Sequence, residues 1–222
     1  MINTILNLFG LILTWGIWVW LASRRFTPVT NLGISIGDAV AIFPVVFAGR
    51  KLLDRQPDVS RAERITTVIH YLLAIFLGAA VMSAVQFALE MPATPIPIPP
   101  WLGILLMVVS GIALLLALFN LVLRGSGAPF AIAFTRLVVT DWIYAWTRNP
   151  MVLSALAFLV GLGLWLQSGL FLIWILVVFS PAAFMFIKFY EERELEIRFG
   201  KDYLDYKEKT PGFIPRKPGR EV

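Results

Sequence analysis

Apolar runs approaching twenty residues recur along the whole of this 222-residue chain, and they leave few folds open. A bilayer's hydrocarbon core, about 30 Å thick, needs about 20 helical residues to cross. Only segments that satisfy their own backbone polar groups survive there, so the runs predict helices. Hydrophobic residues make up 59% of the chain and charged ones 15%, which a soluble domain of this length could not bury. The expected fold is all-α: a polytopic membrane protein with about six transmembrane helices, a tight C-terminal helical hairpin and a cytoplasmic C-terminal amphipathic helix.

The first span runs from about Thr4 to Ala22, with Trp15, Trp18 and Trp20 toward one end as an interfacial belt. A weaker second span covers roughly Gly33 to Ala48 and contains Asp38, whose position near the start suits an interfacial role. Residues 50–64 read as a polar loop. Ile65–Leu89 is the third span; it contains Gln86 and His70, a lone histidine that reads as an interhelical hydrogen-bond partner rather than a ligand. The proline-dense EMPATPIPIPP follows, an extended connector. Trp101–Leu123 is the fourth span. Met151–Leu166 and Gly169–Ile187 are separated only by Gln167-Ser168, which implies an antiparallel hairpin.

Of the 19 Lys and Arg residues, two are Arg24-Arg25, five lie in 50–64, none in 90–100, three in 124–150 and nine in 188–222. The positive-inside rule puts the three basic segments in the cytoplasm. Both termini are then cytoplasmic with six crossings, against which Arg24-Arg25 face outward. A re-entrant second segment is the alternative. The basic loops account for the net charge of +5 without nucleic acid. Residues 1–64 read as N-terminal membrane helices with a basic loop, and 65–222 as the main membrane core with a C-terminal covering segment.

Without cysteine and with one histidine, thiolate and multi-histidine metal sites are excluded. The chemistry-bearing residues fall on the cytoplasmic side. Gly125-Ser126-Gly127 ends a span, where bare backbone can approach a ligand, although glycines after a helix also serve simply as a stop. Arg148-Asn149-Pro150 opens the hairpin. Proline there is routine, while Arg148 offers a permanent bidentate charge and Asn149 both donates and accepts. The tail from Tyr190 to Pro215 begins with the carboxylate pair Glu191-Glu192. Glu194 and Arg198 read as an exposed i, i+4 pair, and Leu195, Phe199, Tyr203 and Tyr206 as a docking stripe on a helix that returns along the membrane surface. The hairpin should bring Arg148 beside Glu191 and Glu192.

Taken in order, the motifs GxGxPF, YxxxRNPM, a hairpin and EExxLxxxFGxxYxxYxxxxPxFIP resemble the isoprenylcysteine carboxyl methyltransferase family, which is related to the membrane phospholipid N-methyltransferases. The resemblance covers about residues 120–215. It implies an integral membrane methyltransferase using S-adenosylmethionine, with a lipophilic or small acceptor: a prenylated-cysteine carboxylate, a lipid amine, an isoprenoid or a small thiol. By that resemblance Gly125, Gly127, Pro129, Phe130, Tyr144, Arg148, Asn149, Pro150, Glu191 and Glu192 bind the cofactor or line its pocket, with Arg148, Glu191 and Glu192 as the catalytic candidates. The chain departs from the family pattern at Val152, at Trp142-Ile143 and at Gly212, positions that bear on the acceptor. The other readings are a sterol-reductase-like enzyme using a nicotinamide cofactor, and a non-catalytic transporter or assembly protein whose intramembrane polar residues converge at mid-bilayer.

Overall fold

A computed structural model describes residues 2–91, 96–125 and 134–217 of the chain. The described residues are helical, without strands, and form α1 (Ile2–Ser23), α2 (Pro28–Arg55), α3 (Val59–Glu90), α4 (Pro100–Gly125), α5 (Pro150–Trp165), α6 (Gly169–Phe199) and α7 (Lys201–Lys209), with a short 3-10 turn at Trp142–Ala145. Among them, five helices are long and apolar enough to cross a membrane, and α5 is a shorter apolar helix.

Two expected boundaries move. The 50–64 loop is mostly helix: α2 runs on to Arg55 and α3 starts at Val59. Only Gln56–Asp58 connects them, and Asp58 caps α3 by accepting the Arg61 N–H at 2.9 Å. The charged side chains occupy the outermost helical turns, where long cationic stems reach past the apolar layer. With 28 residues, α2 is also long enough to cross fully.

The second change is at the C-terminus. The last span does not end where the charges begin; α6 continues to Phe199, 31 residues or about 46 Å. Its apolar part, Gly169–Ile187, accounts for about 28 Å. Lys188–Phe199 therefore continues the helix past its apolar length. Two wide turns interrupt it, at Ile175–Phe179 and Ile187–Glu191. The first lies just before Pro181, whose missing N–H and ring disturb an α-helical ladder. Reversal comes at Gly200, with φ 54° and ψ −123°, a backbone region open to glycine and closed to side-chain-bearing residues. The separate amphipathic C-terminal helix is α7 alone, with Tyr203 and Tyr206 on its buried side.

Helices pack through seams of small residues, the usual device where lipid removes a hydrophobic drive between helices. On α4 the buried residues are Gly103, Ser110, Ala117, Asn120 and Gly125, while Leu105, Val109, Ile112, Leu116 and Phe119 remain exposed for lipid. Gly103 lies against Gly161 of α5, and a Cβ there would stand 2.5 Å from the Gly161 carbonyl oxygen. On α2 the seam is Asn31, Ser35, Ala39, Ile42, Val46, Gly49 and Leu53, packed against α3 and α6. Trp18, assigned to an interfacial belt, instead packs on Gly78 of α3, while Trp15 and Trp20 are exposed.

The hairpin turns at Gln167, which adopts φ 51°. Its side chain accepts from the Ile96 N–H at 3.2 Å and donates to the Ile98 carbonyl at 3.0 Å, so the tip is tied to the proline connector. The hairpin thus spans the same layer as α4. Counting back from the Gly103–Gly161 contact puts Pro150 level with about Leu114, well short of Gly125 where α4 ends. The short α5 leaves a step, and the segment from Phe134 to Asn149 occupies it. Asn120 holds that segment by donating to the Asp141 carbonyl at 2.9 Å.

Candidate functional site

The site lies at that step, where the start of α5, the charged end of α6, α7 and the irregular tail after it converge. Arg148 is its centre. Its Nη2 pairs with Glu192 Oε1 at 3.1 Å, and both side chains are less than a tenth exposed. Its Nη1 donates to the Tyr203 hydroxyl at 3.5 Å, and its backbone N–H donates to the Pro211 carbonyl at 2.9 Å. Its Nε is buried and has no partner among the described residues.

Neighbours of Arg148 fasten the tail. The Thr147 hydroxyl and the Asn149 amide both donate to the Gly212 carbonyl, each at 2.8 Å. The Arg216 N–H donates to the Trp146 carbonyl at 3.0 Å, and the Tyr206 hydroxyl to the Tyr144 carbonyl at 2.7 Å. Asn149, a candidate for ligand recognition, therefore spends one amide proton on the protein itself. Pro150 is the first residue of α5, as its fixed φ favours.

The two adjacent glutamates differ sharply. Glu192 meets three cations: Arg148, Lys188 at 3.1 Å and Lys207 at 2.7 Å. Glu191, partly buried, has no hydrogen-bond or ion-pair partner among the described residues. Its charge is felt by the tyrosines instead. Burial first, and then the Glu191 carboxylate, hold the Tyr144 phenol above its ordinary range. Burial likewise raises Tyr203 and Tyr206, with Arg148 opposing in both. All three phenols are kept protonated, so they act as donors and as polarised rings.

Glu194 and Arg198, read from the sequence as an exposed pair, form a buried one at 3.0 Å, with side chains 4% and 6% exposed. Arg198 also donates to the Thr135 carbonyl at 2.5 Å and lies over the Phe134 ring. It thereby pins the segment that follows Gly125, whose own carbonyl accepts the Arg136 N–H at 2.8 Å. Gly125 ends α4 as a buried residue against Thr135 and Val139. Gly127, Pro129 and Phe130 lie outside the described residues.

Residues that sequence reasoning missed are those whose role depends on the third dimension. Lys207, Tyr203 and the Pro211 and Gly212 carbonyls all touch the Arg148 network. Lys188 alone carried a signal, standing four residues before Glu192. An alternating chain of charges then extends outward from the site: Glu192, Lys207, Glu196, Arg193, Asp54 and Arg50, with successive contacts of 2.7, 3.0, 3.3, 2.8 and 2.6 Å. It ties α7 to α6 and α6 to α2.

The segment holding Gly125, Tyr144, Arg148–Pro150 and Glu191-Glu192 is also where a known family can be discerned. Residues 98–202 match the phospholipid methyltransferase family. The match covers α4, α5, α6 and the start of α7, just under half of the chain. No curated protein and no solved structure matches. The phospholipid methyltransferase match favours methyl transfer at a membrane over the reductase and transporter readings, and it names no acceptor for this chain. Of the polar residues that a midplane transport site would gather, Asn120 instead bonds the Asp141 carbonyl and Gln167 the proline connector.

Proposed function

We propose that this chain is an integral membrane methyltransferase that uses S-adenosylmethionine and methylates a lipid-borne acceptor at the membrane surface. The observation that carries the reading is the inequality of the two glutamates. Glu192 is neutralised by three cations, whereas Glu191 is an unpaired carboxylate set among buried tyrosines within the matched segment. Burial, and then Glu194 and Glu192, push Glu191 up to about 7, and a carboxyl so placed beside aromatic faces suits ribose hydroxyls in either form and a cationic group once ionised. Enzymes of the matched family generally draw their methyl group from S-adenosylmethionine.

The donor set fits such a cofactor. Glu191 would take its ammonium or ribose hydroxyls, the unpartnered Arg148 Nε its carboxylate, and Tyr144 and Tyr203 would supply polarised rings. Bound there, the cofactor would supply a methyl group on a sulfonium, which already carries a good leaving group. The protein's own work is then positioning and exclusion of water. Glu192 fixes the Arg148 guanidinium, and the tail anchored on Thr147 and Asn149 covers the corner. A carboxylate or thiolate acceptor needs no base. An amine acceptor must lose a proton, and Glu191, which no group among the described residues neutralises, would take it where its cofactor contact leaves one oxygen open.

Within this reading, the acceptor is the carboxylate of a prenylated-cysteine-like molecule or a lipid amine. The test is transfer of labelled methyl from S-adenosylmethionine into total lipid extract and into a farnesyl-cysteine analogue, with calorimetric titration by S-adenosylhomocysteine. Binding of the homocysteine product with label in either acceptor supports the proposal. Binding of NADPH alone would replace it with the reductase reading.

A further inference from the structure

Beyond the reaction site, the outer face of α2 carries a feature that methyl transfer does not use. Phe47, Arg50, Lys51, Asp54 and Arg55 line a shallow concavity. Phe47, Lys51 and Arg55 are spaced i, i+4, i+8 and therefore share one helix face, exposed in all three cases. Phe47 meets exposed Phe189 of α6 edge-on, ring centroids 6.0 Å apart. Arg50 is held in place by Asp54 at 2.6 Å and by the Phe189 carbonyl at 3.1 Å. Lys51 and Arg55 have no acidic partner among the described residues.

Depth identifies the occupant. Phe189 lies just past Ile187, where the apolar part of α6 ends, so the two rings stand at the hydrocarbon boundary. Lys51 and Arg55 lie one and two turns farther out along α2, level with headgroups. Aromatic rings below and unpaired cations above match a lipid's acyl chains below its phosphate. Topology alone would ask only for positive charge on this side. It would not ask for two unpaired cations stacked over two lipid-facing rings, beside an arginine already pinned.

We propose that this face of α2 binds the headgroup of an anionic phospholipid, its phosphate between Lys51 and Arg55 and its chains against Phe47 and Phe189. The proposal is independent of the methyltransferase reading.

Native mass spectrometry of the full chain in detergent tests it, using phosphatidylglycerol and phosphatidylcholine of identical acyl chains. One phosphatidylglycerol should be retained in preference to phosphatidylcholine. Since each cation near a membrane surface contributes about fivefold to attraction of anionic lipid, K51A/R55A should weaken that retention by about 30-fold and leave phosphatidylcholine unchanged. F47A should also weaken it, R24A/R25A should not, and inorganic phosphate should fail to displace the lipid. Equal retention of the two lipids, an unaffected K51A/R55A variant, or displacement by inorganic phosphate would each overturn the proposal. Both cations are exposed and unpaired, so their removal leaves folding intact.

Discussion

Neutralising each glutamate in turn separates structure from ligand binding at the site. In Glu192→Gln the isosteric amide keeps its shape but loses its charge, and the Arg148 guanidinium, 8% exposed, keeps its own. Breaking a buried pair by removing one partner costs roughly 3–5 kcal/mol, because the remaining charge is stranded. Lys188 and Lys207 are 54% and 31% exposed, so water replaces much of what they lose and they add little. For a chain of this size about 3 kcal/mol corresponds to roughly 6–12 °C in melting temperature. Glu191→Gln breaks no contact among the described residues and removes a like charge from beside Glu192 and Glu194, so its melting temperature should match or slightly exceed that of the unsubstituted protein. Its affinity for S-adenosylhomocysteine should fall at least about tenfold, the loss of one charge-assisted contact. Scanning fluorimetry in detergent reads the first quantity and calorimetry the second. The reasoning fails if Glu191→Gln destabilises as much as Glu192→Gln, or if Glu192→Gln melts with the unsubstituted protein.

Other outcomes follow from named contacts. Gly200→Ala forces a side chain into φ 54°, ψ −123°; a cost of about 1–3 kcal/mol is expected, with faster proteolysis beyond Phe199. Gly161→Leu drives atoms into the backbone of α4 at Met107, where a Cβ already stands 2.9 Å from the amide nitrogen, and should abolish recovery of monodisperse protein in size-exclusion chromatography. Tyr206→Phe loses the 2.7 Å bond to the Tyr144 carbonyl and should cost about 1 kcal/mol in chemical unfolding. The phenols of Tyr144, Tyr203 and Tyr206 are all raised, chiefly by burial, so the folded state holds those protons more tightly than the unfolded state. Their contribution is present below the ordinary tyrosine value of about 10 and is lost as pH rises above it, so absorbance at the phenolate band should show these three ionising only with unfolding.

Hydropathy alone sufficed to find the apolar helices, five of them long enough to cross a membrane, since apolar length is a property of the chain and the bilayer sets the scale. It failed where charge was taken for the end of a helix. Arg50, Lys51 and Arg55 lie on the last turns of α2, and Glu191–Phe199 continues α6, because Glu, Arg, Lys and Leu are good helix formers. The end was written in Gly200, whose conformation a side chain forbids. For the site, the hairpin rule was enough to bring Arg148 to Glu192, while the expected Arg148–Glu191 contact is not made among the described residues. Which glutamate is saturated was not legible, because the deciding residue, Lys207, arrives only after the chain reverses. Nor could the Gly212 carbonyl be foreseen, since a main-chain acceptor leaves no mark in residue type.

The brevity of α5 has a kinetic meaning. A helix of 16 residues, about 24 Å, ends about 6 Å short of a hydrocarbon layer of about 30 Å, and the step it leaves sets Arg148 at the edge of that layer, within reach of lipid-borne groups. For the lipid-borne acceptor proposed above, encounter is a search in two dimensions. The concentration that governs rate is then a mole fraction within the bilayer. Adding inert lipid should slow turnover at constant total acceptor, and adding bulk volume should not.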